Sequence, residues 1–127
     1  MALLDSDILI AFLRGREEAA AALRRVSKGR VSTISAFELY RGAWRARTPK
    51  AAVFTVGKLL HRFHLVPFDE ECALQAGRID AALHERGEEI GIQDVMIAAT
   101  AIARGEALIS RNEEHFRRVP GLKLVGW

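Results

Sequence analysis

The chain has 127 residues, half of them hydrophobic, with 19 Lys and Arg against 16 Asp and Glu for a net charge of +3. That length and apolar content suit a single domain over residues 1–127 with its own buried core, and they exclude a disordered chain. Cys72 is the only cysteine, which excludes an intramolecular disulfide or a multi-cysteine zinc site; charges as early as Arg14, Arg16 and Glu17 leave no membrane-spanning run of roughly 20 apolar residues, and no leader pattern opens the chain, so a cytoplasmic protein is expected.

In chain order, residues 2–5 read as a short buried strand and 8–13 as the start of a helix broken at Gly15. Residues 17–26, acidic at the start and small or apolar over 19–23, read as a second helix stopped by Ser27-Lys28-Gly29. Residues 30–34 are short and β-branched-rich, a strand that runs straight into a helix over 35–47. Pro49 suits the first turn of a helix reaching to about residue 62. Residues 64–68 suggest another strand, after which Asp69 caps a long helix to residue 85. Ala73, Ala76, Gly77 and Ala81 give that helix a thin face suited to close packing. Residues 86–92 form a loop with two glycines, and 95–103 a buried alanine-rich helix. The last strands, 107–110 and 122–125, are separated by a helical turn at 113–118 and the Pro120-Gly121 turn. Helices alternating with short apolar strands predict an α/β fold, a mostly parallel sheet of about five strands between helical layers.

In such a sheet the strand C-termini and helix N-termini share one edge, so residues distant in sequence meet there. Asp5, Glu38 and Asp94 all fall at predicted strand ends or helix starts. Converged carboxylates repel, and either shared protons or a hard cation such as Mg²⁺ or Mn²⁺ must neutralise them. Each acid also has a structural explanation. Ser35-Ala36-Phe37-Glu38 has the form of a capping box, Asp94 would serve as a helix cap or first-turn acid, and Asp7 as a helix cap or a support for Asp5. Asp5 is harder to explain so, because a carboxylate directly after a buried strand needs something to solvate it.

Asn112 lies on the same expected edge, to hold a metal-bound water or to cap the turn to Glu113. His61, His64, His84 and His115 have no metal-ligand spacing and read as surface residues. Cys72 reads as a small packing residue. Basic residues gather as Arg24, Arg25, Lys28 and Arg30, as Arg41, Arg45, Arg47 and Lys50, as Lys58, His61, Arg62 and His64, and as Arg111, Arg117 and Arg118 around Asn112. Such runs are solvated helix faces or phosphate contacts. There is no Gly-rich phosphate loop, Walker lysine or Gly-x-Ser-x-Gly elbow.

Four segments taken together resemble the motifs of the PIN-domain ribonucleases and, within them, the VapC toxins of type II toxin–antitoxin systems. They are Leu4-Asp5-Ser6-Asp7-Ile8-Leu9-Ile10, Ile34-Ser35-Ala36-Phe37-Glu38-Leu39-Tyr40-Arg41-Gly42, Ile92-Gln93-Asp94-Val95-Met96-Ile97-Ala98-Ala99, and Leu108-Ile109-Ser110-Arg111-Asn112 continuing into Glu113-Glu114-His115-Phe116. The resemblance implies a PIN-like three-layer sandwich and a Mg²⁺-dependent endoribonuclease, with Mn²⁺ as a possible substitute. In it Asp5, Asp94 and Glu38 are the metal ligands, and Asn112 joins them as a catalytic residue. Many relatives carry an aspartate near Asn112, so Asn112 or Glu113 would serve in its place, and the metal count stays open between one and two. Arg111 and other basic residues would guide the RNA backbone.

The resemblance further implies a VapB-like antitoxin whose C-terminal segment crosses the active-site edge, with an arginine that binds the acids. A homodimer is expected from the excess of apolar residues on the middle helices, Phe37, Tyr40, Trp44, Val53, Phe54 and Leu60. Two rival readings stand beside this one. A haloacid-dehalogenase-like phosphatase also opens on Asp-x-Asp, here Asp5-Ser6-Asp7, but it needs a later lysine and an acidic pair that have no evident place. The other rival is an inactive binding module whose acids only cap helices.

Overall fold

The computed structural model describes residues 2–26 and 28–127. Five short strands, β1 (Ala2–Leu4), β2 (Gly29–Ser32), β3 (His64–Val66), β4 (Ala107–Ile109) and β5 (Leu124–Val125), form one sheet in the order β3-β2-β1-β4-β5. Every pairing is parallel. Among the described residues seven helices connect or follow them: α1 (Ser6–Leu13), α2 (Glu17–Arg25), α3 (Thr33–Trp44), α4 (Pro49–Leu60), α5 (Glu70–Glu85), α6 (Ile92–Ala103) and α7 (Glu113–Phe116). This is the expected α/β sandwich.

Alternation along β1 divides the core between the two faces of the sheet. Leu4 points to a cluster built by α1 to α4, with Ile8, Leu9, Leu23, Val31, Leu39, Val56 and Leu60. Leu3 points to the opposite cluster, where Ile79 and Leu83 of α5 meet Val95, Ile97 and Ala98 of α6 and Phe116 of α7. Both faces of the sheet are therefore covered, as parallel strands require.

The strand order reverses direction at β1, because the chain runs outward through β2 and β3 before returning to β4 on the other side. Leu4 is in register with Val31 and with Ile109, so the residues that follow, Asp5, Ser32 and Ser110, stand in one row across the sheet end. The Asp5 N–H donates to the Ile109 carbonyl at 3.0 Å and holds that row together. The switch point and the suspected acids coincide.

Several boundaries differ from expectation for local reasons. β2 ends at Ser32 and α3 begins at Thr33, two residues early, because the Ser32 hydroxyl accepts the Ser35 N–H at 3.0 Å. A side-chain cap is worth about 1 kcal/mol, more than the few tenths by which β-branched Thr33 and Ile34 disfavour a helix. α6 likewise starts at Ile92, inside the expected loop, with Gly91 as its cap residue. Helices α3 and α4 stop at Trp44 and Leu60, short of 47 and 62, and β3, β4 and β5 are shorter than expected. Gly15 closes α1 with φ at +77°, a conformation that favours glycine. Ser27, in the expected stop to α2, lies outside the described residues.

The small-residue face of α5 is a correction. The helix buries Cys72, Ile79 and Leu83, while Ala73, Gly77 and Ala81 are exposed and Ala76 is half-buried. A thin face invites packing only where a neighbour exists, and in this chain α6 meets the other side. Leu60 is another, a core residue rather than surplus surface, whereas Phe37, Trp44 and Phe54 are indeed exposed.

Candidate active site

Asp5 follows β1 and caps α1, its Oδ1 accepting the Ser6 N–H at 2.8 Å. Its Oδ2 accepts the Ser110 hydroxyl at 2.7 Å. The residue is only 4% exposed, and burial, followed by the charge of Asp7, raises its pKa from 3.8 to about 7. The hydrogen bonds from Ser110 and Ser6 oppose that rise, and Asp94 adds to it.

Glu38 lies in the second turn of α3. Because Ser32 rather than Ser35 caps that helix, the Ser35–Glu38 capping box is not formed. Glu38 instead accepts the Ser6 hydroxyl at 3.0 Å, directly beside the Asp5 cap. Burial raises its pKa first, with a contribution from Asp94, against the lowering effects of Ser6 and Arg41.

Asp94 is in the first turn of α6 and makes no cap hydrogen bond. Its Oδ2 accepts from Asn112 Nδ2 at 3.3 Å and stands 2.8 Å from Nδ1 of His115. His115 is also 3.2 Å from Asn112 Nδ2. His115 therefore belongs to the site, against the expectation of a plain surface residue. Its spacing gave no hint, since it reaches Asp94 only because the short α7 folds back beside the start of α6. Asn112 is the cap residue of α7 but makes no side-chain cap bond, so its amide is left for Asp94.

Asp7 is not a helix cap. Its Oδ2 accepts the Arg111 N–H at 2.8 Å and the Ser110 hydroxyl at 3.1 Å, and its Oδ1 accepts the Trp127 indole N–H at 3.2 Å. Trp127 is a second participant that sequence reasoning missed, tied here by a bond spanning 120 positions.

Asp5, Glu38 and Asp94 thus share one sheet edge and feel one another's charge, yet each is turned toward its own donors. Among the described residues, no three His, Cys, Asp or Glu side chains already enclose an ion-sized point. The donor set is carboxylate and amide oxygen, which suits a hard divalent cation, and a buried carboxyl that keeps its proton to about pH 7 lacks a positive neighbour. The donor types, though not their present spacing, suit such an ion.

The basic residues separate into two ends. A cavity of about 620 Å³ lies at the N-terminal ends of β2 and β3 between Lys28, Arg30, Arg62 and His64. It contains no carboxylate and is remote from the acid row. Arg30 there is committed to Glu106 at 3.1 Å. Arg111 stands at the acid row itself.

A PIN domain family model matches residues 2–122. Ribonuclease VapC2 of Haemophilus influenzae is 32% identical over 98% of this chain and 96% of its own length. The tRNA(fMet)-specific endonuclease VapC of Salmonella typhimurium is 28% identical over the same shares of the two chains. Among solved structures, VapBC2 from Rickettsia felis bound to a DNA fragment from its promoter superposes with a TM-score of 0.92 at 25% identity, over 99% of this chain and 98% of that one. These matches do not favour the phosphatase reading. With four motifs in order, the acid row at the switch point and a match over nearly the whole length, the chain belongs to the PIN-domain family and, within it, to the VapC ribonucleases of toxin–antitoxin systems.

Proposed function

We propose that this protein is a Mg²⁺-dependent endoribonuclease, the toxin of a type II toxin–antitoxin pair, acting as one domain in the cytoplasm. Asp5, Asp94 and Glu38 are its metal ligands, and Mn²⁺ is a plausible replacement for Mg²⁺. The observation that carries this reading is the buried Asp5, beside which no cationic side chain stands among the described residues. Bound there, Mg²⁺ would activate water for attack on the scissile phosphodiester and offset the charge that develops on it.

The chain's own residues prepare that arrangement. Ser6 uses its N–H for Asp5 and its hydroxyl for Glu38, so one residue sets the spacing of two acids. Ser110 fixes the second Asp5 oxygen, and Asn112 with His115 holds Asp94. Asn112 serves catalysis by orienting Asp94 and nearby water rather than by adding charge.

An antitoxin of the VapB kind is the expected partner. A mostly apolar groove of about 470 Å³ runs from Glu38 past Ile10, Leu13, Leu39, Ala43 and Val56. An amphipathic segment lying there would bring a basic side chain to the acids. Relatives solved as VapBC complexes support that choice.

The test is cleavage of RNA in Mg²⁺ and in EDTA, starting with the tRNA(fMet) for which the Salmonella relative is named. Wild-type protein should cut only with metal, and Asp94→Ala should lose more than about 100-fold in rate, on the scale of lost transition-state charge stabilisation. Full activity in Asp94→Ala sinks the metal-site reading. A wild-type protein that binds RNA without cutting it supports the inactive module instead.

A further inference from the structure

A cleft of about 370 Å³ opens beside the acid row, lined by Asp7, Ile10, Arg14, Arg16, Arg111 and Trp127. Three arginines face it against two acids, Glu18, which lies 3.6 Å from Arg16 and 3.5 Å from Arg111, and Asp7, which accepts hydrogen bonds from neutral donors at its base. Arg14 is the third of these cations, so the arginines outnumber the two acids by one. It adjoins Asp5 through Ser110, whose hydroxyl bonds both Asp5 and Asp7.

Arg111 is held from several sides. Its N–H donates to Asp7 at 2.8 Å, its Nε donates to the main-chain oxygen of Trp127 at 2.7 Å, and its Cζ lies 3.7 Å from the centre of the Trp127 ring. Trp127 is itself anchored, by its indole N–H to Asp7 and by packing against the α1 side of the core. A flexible arginine loses rotamer freedom when it grips a phosphate, and a guanidinium already laid on an aromatic face has lost much of it beforehand.

We infer that Trp127 and Asp7 hold Arg111 as a preset clamp for an RNA backbone phosphate, in the cleft next to the acid row. This rests on the ribonuclease reading above. Trp127 is a positioning residue, since it acts through Arg111, and the phosphate it helps to bind flanks the one being cut. Asp7 has a double use, because it also keeps the Ser110 hydroxyl beside Asp5.

The experiment measures binding of a fluorescently labelled single-stranded RNA in EDTA over a range of salt, and cleavage in Mg²⁺, for wild type, Arg111→Ala, Trp127→Ala, Trp127→Phe and the double Arg111→Ala/Trp127→Ala. Arg111→Ala should weaken RNA binding about tenfold and lower the salt slope by about 1. Trp127→Ala should raise KM severalfold with kcat nearly unchanged, Trp127→Phe should recover most of the loss, and the double variant should bind no more weakly than Arg111→Ala alone. Losses that add in the double variant, or a Trp127→Ala protein that binds like wild type, overturn the inference while wild-type cleavage stands. Should Trp127→Ala prove too unstable to purify, Trp127→Leu fills similar space without a π face and carries the same expectation. A wild-type protein that neither binds nor cuts RNA overturns the ribonuclease reading and this inference together.

Discussion

Asp5 has two tasks that oppose each other, capping α1 and standing nearly dry beside other acids. Its folded pKa of about 7 lies above the ordinary 3.8, so between those values the folded state binds more protons than the unfolded one. Without metal, stability should therefore fall as pH rises from about 4 to about 7, by at most about 4 kcal/mol. Asp5→Asn keeps a capping side chain and removes the charge. In EDTA its melting temperature should match wild type near pH 4 and exceed it at pH 8, as read by thermal unfolding. A wild-type melting curve that does not move over that range contradicts the assignment. Asp69 behaves oppositely, since the hydrogen bond from Arg104 lowers its pKa to about 2, and its contribution is lost only as pH falls below about 4. At the other side of the site, Asn112→Asp adds a charge near Asp94 and should tighten Mn²⁺ or Mg²⁺ severalfold, a change on the scale of one partly screened charge. Calorimetric titration that found weaker binding would place Asn112 away from the ion.

Helix starts do more here than end a strand, because each decides which way an acid faces. Ser32 is fully buried and its hydroxyl both caps α3 and touches Ser35 Oγ at 3.3 Å. Ser32→Ala should cost about 1 kcal/mol in a urea unfolding midpoint, as lost caps do. Cleavage should fall further than that cost implies, since α3 carries Glu38. β2 has its own constraint at Gly29, where a Cβ would lie 2.8 Å from Leu4 Cδ1 and 3.2 Å from Phe63 Cδ1. Leu4 is fully buried, so a shift of its side chain presses on the core around it. Gly29→Ala should thus destabilise by about 1–3 kcal/mol through overpacking, and an unchanged midpoint would mean that the β1–β2 pairing tolerates more room than the packing allows.

For the molecule as a whole, the open question is what covers the middle helices. Phe37, Trp44 and Phe54 are 50%, 59% and 69% exposed, and Arg41 and Lys58 stack on two of them rather than hide them. No helix among the described residues is long and apolar enough to cross a membrane. We predict a homodimer together with an antitoxin that fills the groove beside Glu38. Light scattering of the isolated chain at micromolar concentration should give twice the chain mass, and a strictly monomeric species contradicts it. Co-expression with the neighbouring reading frame should relieve growth arrest, and arrest that persists would remove that frame as the antitoxin.

Much of the architecture was readable from the chain because it depends on local pattern. Apolar runs as short as Ala2–Leu4 between polar residues are strands, Asp69 before Glu70 and Glu71 is a helix cap, and the alternation of the two element types leads to a parallel sheet. Asp5, Glu38, Asp94 and Asn112 were visible for the same reason, as polar residues at the ends of those elements. What the pattern left open was decided by tertiary contacts. Whether Glu38 belonged to a capping box depended on whether the Ser35 N–H went to the Glu38 carboxylate or to the Ser32 hydroxyl, and Ser32 takes it. His115 and Trp127 carried no motif, and their partners Asp94 and Asp7 are fixed only when α7 and the C-terminal segment fold back on the sheet edge. The face of α5 that meets α6, and the exposure of its small residues, likewise follow from which neighbour the sheet places beside it. Periodicity along a chain reports which residues can be buried together, but side-chain hydrogen bonds across the fold depend on distances that only the packed sheet and helices establish.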